Sequence, residues 1–183
     1  RPPAIAAVQF YDPRTGNTKE ESMKDHVIRM LDFHYGRLQM MLKDIPDERM
    51  TEQPTGLVNH PAWQVGHIAI ALDGGAKLLG QEGLKGEADR EKYGFGSQPL
   101  PDRDQYPSKE ELMADLKAVQ DQLAAGFESA TDEQLGGPNP VERVKDILPT
   151  LGDMVTFMAT GHYGMHLGQT AAWRRAAGLP GVV

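Results

Sequence analysis

The chain has 183 residues and a formal net charge of −7, which is the size of one domain with a sizeable core. The acidic charge disfavours nucleic acid as a partner, since phosphates are bound by clustered Lys and Arg, and the absence of Cys excludes disulfides, thiolate metal sites and a cysteine nucleophile. No stretch approaches the ~20 apolar residues that cross a bilayer. We therefore expect no membrane partner and a cytoplasmic location, with a removed signal peptide as the alternative because the chain opens with Arg1.

The start of the chain divides into an arm and a domain. Residues 1–17 contain three Pro and no helical period, which predicts an extended arm ahead of a domain at 18–180. The first helix is predicted over 18–45, because Thr18 and Glu21 match the capping-box pattern.

A second helix is predicted over 61–80, with Asn59 or His60 near its N-cap and Pro61 in its first turn. The segment from Gly80 to Pro107 has many Gly and Pro and little periodicity. Loops of this length are uncommon in a compact domain, and they are usually functional or crossover segments.

A third helix is predicted over 108–129, where a Ser and a Glu form a capping box, and a fourth over 152–177, capped at Thr150 or at Gly152-Asp153. Between them lies a Gly-Gly-Pro-Asn-Pro break that predicts irregular structure. Four amphipathic helices with a long crossover between the second and the third indicate an all-α fold, an antiparallel four-helix bundle.

Two histidines four residues apart are the strongest functional signal. His162 and His166 project from one face of the fourth helix, as i and i+4 positions do. Such a pair can hold one metal ion, as in helical metalloproteases, but Tyr163 stands where the protease needs Glu. A zinc protease is therefore disfavoured, while a metal site of another kind is not.

Further histidines lie on apolar faces that we assign to the core, His34 on the first helix and His67 on the second. One inward His is more often structural than a ligand. Four of them each need a donor and an acceptor, and a single metal ion satisfies three rings at once. Three imidazoles with an open position are typical of a catalytic site, whose ion activates a bound water or thiol.

Three other polar residues are not interpreted as metal ligands. Gln169 either orients a ligand His through a hydrogen bond or caps a contact between helices, and both readings stay open. His60 is interpreted as part of a helix start, and His26 as a solvated residue.

The sequence resembles the DinB-like (DinB/YfiT) superfamily of metal-binding four-helix bundles. The residues that carry the resemblance are Trp63-x-x-x-His67 and, far downstream, His162-x-x-x-His166-x-Gly-Gln169. The resemblance extends over most of the chain, from about residue 20 to residue 180.

The resemblance implies one divalent ion, zinc or nickel foremost, with the ligands His67, His162 and His166. It leaves three residues as groups that line the pocket or support the ligands: His34, Gln169 and Trp63. We expect the open position of the ion to face a pocket bordered by the first helix near His34 and by the 80–107 segment.

Known relatives include thiol-dependent S-transferases and a mycothiol-dependent isomerase. The resemblance therefore implies a metal-dependent enzyme of the S-transferase or hydrolase type that acts on a small molecule, with a low-molecular-weight thiol as a further candidate cofactor. The alternatives are a non-catalytic or stress-related bundle that a metal only staples, and four structural histidines without a metal. A homodimer is the assembly considered.

Overall fold

Four long helices make up most of the structure. The structure is a computed structural model, and it describes residues 9–11, 18–20, 22–54 and 56–182. The elements are β1 Gln9–Tyr11, β2 Thr18–Glu20, α1 Met23–Leu42, α2 Pro61–Leu78, α3 Glu87–Tyr93, α4 Lys109–Ser129, α5 Asp132–Gly136, α6 Leu151–Phe157 and α7 Tyr163–Ala176. A π-helical turn, Met158–His162, joins α6 to α7, so that the three segments form one fourth helix. The predicted all-α four-helix bundle is confirmed, with one short antiparallel hairpin added by β1 and β2.

The first helix begins later than the sequence predicted. Thr18 lies in a strand, and the capping box is formed by Ser22 and Asp25 instead: the Ser22 backbone N–H donates to the Asp25 carboxylate at 2.8 Å. Both sites present a hydroxyl followed three residues later by a carboxylate, so the pattern alone could not choose between them. Of the predicted arm at 1–17, only the backbone of β1 lies within the described residues.

The other long helices begin at predicted caps. Ser108 opens α4 and Thr150 opens α6, each in a complete capping box. His60 is the N-cap of α2, where its Nδ1 accepts from the Trp63 backbone N–H at 3.2 Å. Its Nε2 donates to the Leu100 carbonyl at 2.9 Å, which ties the crossover to the start of α2. His60 is thus part of a helix start, as expected.

Two neighbouring pairs of helices run antiparallel. Along α1 and α4, Asp32 accepts from Gln120 at 3.0 Å while Tyr35 donates to the Met113 carbonyl at 3.2 Å, so the chains run in opposite directions. The fourth helix is likewise antiparallel to α2.

The long crossover makes α2 and α4 parallel. Gly75 lies beside Leu123 and Leu79 lies beside Gly126, so that both chains advance in the same direction. The segment between them must return along the length of the bundle, which explains why it is so long. It is not structureless, since it contains α3 and a 3₁₀ turn at Arg103–Gln105.

A buried carboxylate anchors the start of the crossover. Asp73 is 1% exposed and accepts from the Leu84 backbone N–H at 2.5 Å, the Lys85 backbone N–H at 3.1 Å and the Lys77 ammonium at 2.6 Å. A buried charge is tolerated only when it is paired and hydrogen-bonded in this way. The anchored turn sends the chain back over α2 toward the histidines.

The bundle encloses one apolar core to which all four long helices contribute. Its fully buried members include Leu31, Leu38, Ile68, Leu72, Leu116, Leu123, Val155 and Trp173. Within the described residues, no helix combines the length and the apolar character that a membrane crossing requires.

Candidate metal centre

His67, His162 and His166 meet between α2 and the fourth helix. Their ring centroids lie 4.7–5.2 Å apart, and one nitrogen from each ring lies within 4.8 Å of the others. The Nε2 atoms of His67 and His162 lie 3.3 Å apart. The structure therefore brings together the three histidines that the sequence singled out, while their binding of a metal stays a prediction.

The ring of His67 is held in place by neighbours on two sides. Its Nδ1–H donates to the Tyr93 carbonyl at the end of α3, 2.6 Å away. The Trp63 indole, one turn earlier on α2, stacks on the ring at a centroid distance of 4.6 Å and an interplanar angle of 14°. The indole N–H in turn donates to Ser97 at 3.0 Å. Because Nδ1 carries the proton, Nε2 is the unprotonated nitrogen and points to the other histidines.

His162 is the last residue of the π-helical turn, which the sequence did not predict. A π turn inserts an extra residue into an α-helix, and such turns are frequent at functional sites. His34 on α1 packs against this turn, and its Nδ1–H donates to the Ala159 carbonyl at 3.3 Å. Its ring lies 5.1 Å from that of Tyr163. His34 therefore supports the segment that carries His162 and does not join the cluster.

Burial keeps the three imidazoles neutral. Together with the smaller effect of mutual repulsion between the rings, it lowers the pKa of His162 to about 4 and that of His166 to about 3. Burial also lowers the pKa of His67, against the opposing effect of the Tyr93 carbonyl. A metal ligand must be unprotonated, so the site is ready to bind a cation at neutral pH.

The donor set fits a divalent ion of the zinc type. Metal–nitrogen bonds of about 2.0–2.1 Å in tetrahedral geometry place two ligand nitrogens about 3.3 Å apart, which is the spacing of the His67 and His162 Nε2 atoms. The Nδ1 atoms of His162 and His166 are buried and have no hydrogen-bond partner among the described residues. A direct hydrogen bond from the His162 Nε2–H to the His67 Nε2 would satisfy the His67 ring but would leave both of these Nδ1 atoms unpaired.

A cavity of about 450 Å³ opens beside the cluster. Its wall includes all three histidines and apolar side chains from α2 and the fourth helix: Ile70, Ala71, Met154, Phe157, Met158 and Met165. Phe95 from the crossover and Arg143 from the 3₁₀ turn Glu142–Val144 complete the lining. Pockets of this size that are largely apolar with a few polar groups are typical of small-molecule sites.

The structure places some of the predicted surroundings of the site away from the pocket. The 80–107 segment contributes to the pocket through Phe95, but α1 and His34 do not line it. Gln169 is exposed and accepts from the Asn59 side chain at 3.0 Å, so that it makes a contact between segments and supports no ligand.

No pattern in the sequence indicates Tyr93 or Arg143. Tyr93 acts through its backbone carbonyl, which any residue could supply, and Arg143 lies in the irregular stretch that precedes α6. The Gly94-Phe95-Gly96 run was a usable hint, since Gly96 has a φ of +87° and shapes the tip that places Phe95 at the pocket.

The comparisons with known proteins agree on the fold. A family model described as the DinB superfamily matches residues 30–170, and no curated protein is significantly similar. A conserved protein of Enterococcus faecalis superimposes with a TM-score of 0.66 at 16% identity, over 85% of this chain and 97% of that one. YfiT from Bacillus subtilis, described as a probable metal-dependent hydrolase with an unusual four-helix bundle topology, superimposes with a TM-score of 0.61 at 17% identity, over 93% and 95%.

Proposed function

The chain belongs to the DinB superfamily, and we propose that it binds one divalent metal ion through His67, His162 and His166 and hydrolyses a small molecule in the adjoining pocket. The observation that carries the proposal is the convergence of three neutral imidazoles at the wall of a largely apolar cavity. Three protein ligands with a side open to a cavity are typical of catalytic metal sites, whereas structural sites are closed by a fourth ligand.

The chain's own residues would orient the site and exclude water. The Tyr93 carbonyl fixes the tautomer and direction of His67, and Trp63 fixes the tilt of its ring. Phe157 and Met158 cover one side of the cavity. A divalent ion held there would supply a Lewis acid and an activated water nucleophile.

The pocket restricts which bonds can be broken. None of its lining residues within the described chain carries a carboxylate, so no acidic side chain stands ready to protonate a poor leaving group. We therefore expect esters and other substrates with acidic leaving groups to react, and simple amides to react far more slowly.

Transfer of an external thiol is the second candidate. The chain has no Cys, and three neutral imidazoles leave the charge of an ion uncompensated, which favours an anionic thiolate beside them. The same pocket would then receive an electrophile, and no general acid would be needed.

Both candidates are tested with protein purified without a polyhistidine tag and loaded with zinc or nickel. Aryl esters report hydrolysis, and a thiol with an alkyl halide reports S-transfer. The His162→Ala variant should lose metal and activity together, while His26→Ala, a histidine of α1 outside the cluster, should retain both. Equal rates for wild type and His162→Ala with every substrate would contradict a catalytic role for the ion.

A further inference from the structure

The cavity beside the three histidines, called the histidine pocket below, has one cationic side chain among its described lining residues, Arg143. Arg143 is exposed, lines the cavity, and lies over the ring of Phe95, with Cζ 4.2 Å from the ring centroid. Cation–π stacking of this kind holds a guanidinium in place while its N–H groups remain available to a ligand. The two residues come from different connecting segments, so they meet only in the folded protein.

The charge of Arg143 is not neutralised by a neighbour. No ion pair joins it to a carboxylate among the residues that the structure describes, and the adjacent Glu142 pairs with Lys145 at 2.5 Å. The other lining residues are apolar or are the three neutral histidines. In a chain with a net charge of −7, Arg143 therefore adds a positive charge to a described lining that carries no carboxylate.

We propose that the pocket selects organic anions with an apolar body, and that Arg143 binds their acidic group at the mouth. The apolar body would lie against Met154, Phe157 and Met158, with the opposite end of the molecule directed to the histidines. A planar guanidinium matches a carboxylate or a phosphate by paired hydrogen bonds. The assignment of the opposite end to the reacting bond rests on the proposed function, whereas the anion site does not.

The test uses the metal-free protein, so that no other cation competes for the anion in the pocket. Isothermal titration compares 4-phenylbutyrate with 4-phenylbutanamide, a neutral molecule of nearly the same shape. We expect the acid to bind about fivefold more tightly at low ionic strength, as a partly exposed ion pair allows, and the preference to shrink as salt is added.

Three variants identify the source of the preference. Arg143→Gln should remove it, and Arg143→Lys should keep part of it. Arg175→Gln, which removes an exposed cation that neither lines the pocket nor forms an ion pair among the described residues, should leave it unchanged. The ratio of acid to amide is the readout because a general distortion of the pocket weakens both ligands alike.

Equal affinities for acid and amide, no binding of either, or a preference that survives in Arg143→Gln would overturn the anion site. If the preference depends on Arg143 but the metal-loaded protein turns over no ester or thiol substrate, the anion site stands and the proposed function fails. If the metal-loaded protein is active but shows no preference that depends on Arg143, the proposed function stands and the anion site fails.

Discussion

At the scale of single residues, the site depends on histidines that burial keeps uncharged. His166 is 4% exposed, and its Nδ1 has no partner among the described residues, so a proton on this ring would gain little from its surroundings. Burial and the two neighbouring rings therefore lower its pKa to about 3. In the unfolded chain the same ring titrates near 6.5.

This difference predicts how the stability of the metal-free protein depends on pH. Below pH 6.5 the unfolded chain binds a proton at His166 that the folded chain does not, so the free energy of unfolding falls as the pH falls toward 4. Between pH 7 and pH 5 we expect the wild type to lose about 1–2 kcal/mol more than the His166→Gln variant. Urea unfolding in the presence of a chelator measures the free energy of unfolding of the wild type and of the variant at each pH. If the two proteins showed the same dependence on pH, His166 would not be buried in its uncharged form.

The same residues show what the sequence can predict of such a site. The spacing of His162 and His166 places both rings on one helical face whatever the rest of the fold, and His67 shares a local pattern with Trp63. Arg143 reaches the pocket through a stretch without regular period, and no rule of spacing relates it to the histidines. Its position follows only from the tertiary fold.

At the scale of elements, the close approach of α3 to α2 sets the direction of His67. The ring of Tyr93 lies directly against Gly66, where a Cβ atom would overlap it, and the carbonyl of the same residue accepts from His67. A glycine here lets the two backbones approach.

We expect Gly66→Ala to displace Tyr93 and to weaken metal binding about tenfold or more, since loss of a hydrogen bond behind a ligand His has effects of that size. Overpacking should also lower the free energy of unfolding by about 1–3 kcal/mol. Zinc titration and urea unfolding measure the two effects.

Gly36→Ala is the matched control. Gly36 lies within α1, and no atom would lie within 4 Å of a Cβ added there. The change should therefore stabilise the helix by about 0.5–1 kcal/mol and leave metal binding unchanged. If Gly66→Ala bound zinc as the wild type does, the contact with α3 would not orient the site.

The π turn is the second element on which the site depends. His34→Leu removes the donor to the Ala159 carbonyl and should cost about 1 kcal/mol of stability, the ordinary value of such a bond. Because the bonded turn carries His162, zinc affinity should fall several-fold as well, and His34→Gln, which retains a donor, should do less. A loss of stability with unchanged zinc affinity would show that His34 only fills the core.

The long helices could be predicted from the sequence more fully than the short elements that join them. Apolar periodicity and helix caps are local signals, and the long helices lie close to where these signals predict them, apart from the later start of α1. The π turn has no such signal, and α3 is too short at Glu87–Tyr93 to show a period. The parallel arrangement of α2 and α4 depends on the path of the crossover through space.

At the scale of the whole molecule, the core and the candidate metal centre are separable. The buried residues Leu31, Leu38, Leu116 and Leu123 pack within the bundle and do not line the histidine pocket. An ion bound at this centre would add stability by binding to a fold that exists without it. A zinc finger differs, because there the metal supplies the fold.

Removal of metal should therefore leave the far-UV circular dichroism of a helical protein and a cooperative thermal transition. Added zinc should raise the melting temperature progressively, and at a free concentration of 100 times Kd the gain should be about 2.7 kcal/mol. Loss of helical signal on chelation would instead favour a metal that staples the bundle.

The central claim is that His67, His162 and His166 together bind one divalent ion, and zinc titration of the metal-free, untagged protein tests it most directly. The measurement is repeated on three variants with single changes to Ala at these positions and on His26→Ala as the control. We predict one zinc ion per chain for the wild type and for His26→Ala, and a large loss of affinity in each of the three cluster variants. A wild type that binds no zinc, or cluster variants that bind it as tightly as the wild type, would contradict the claim.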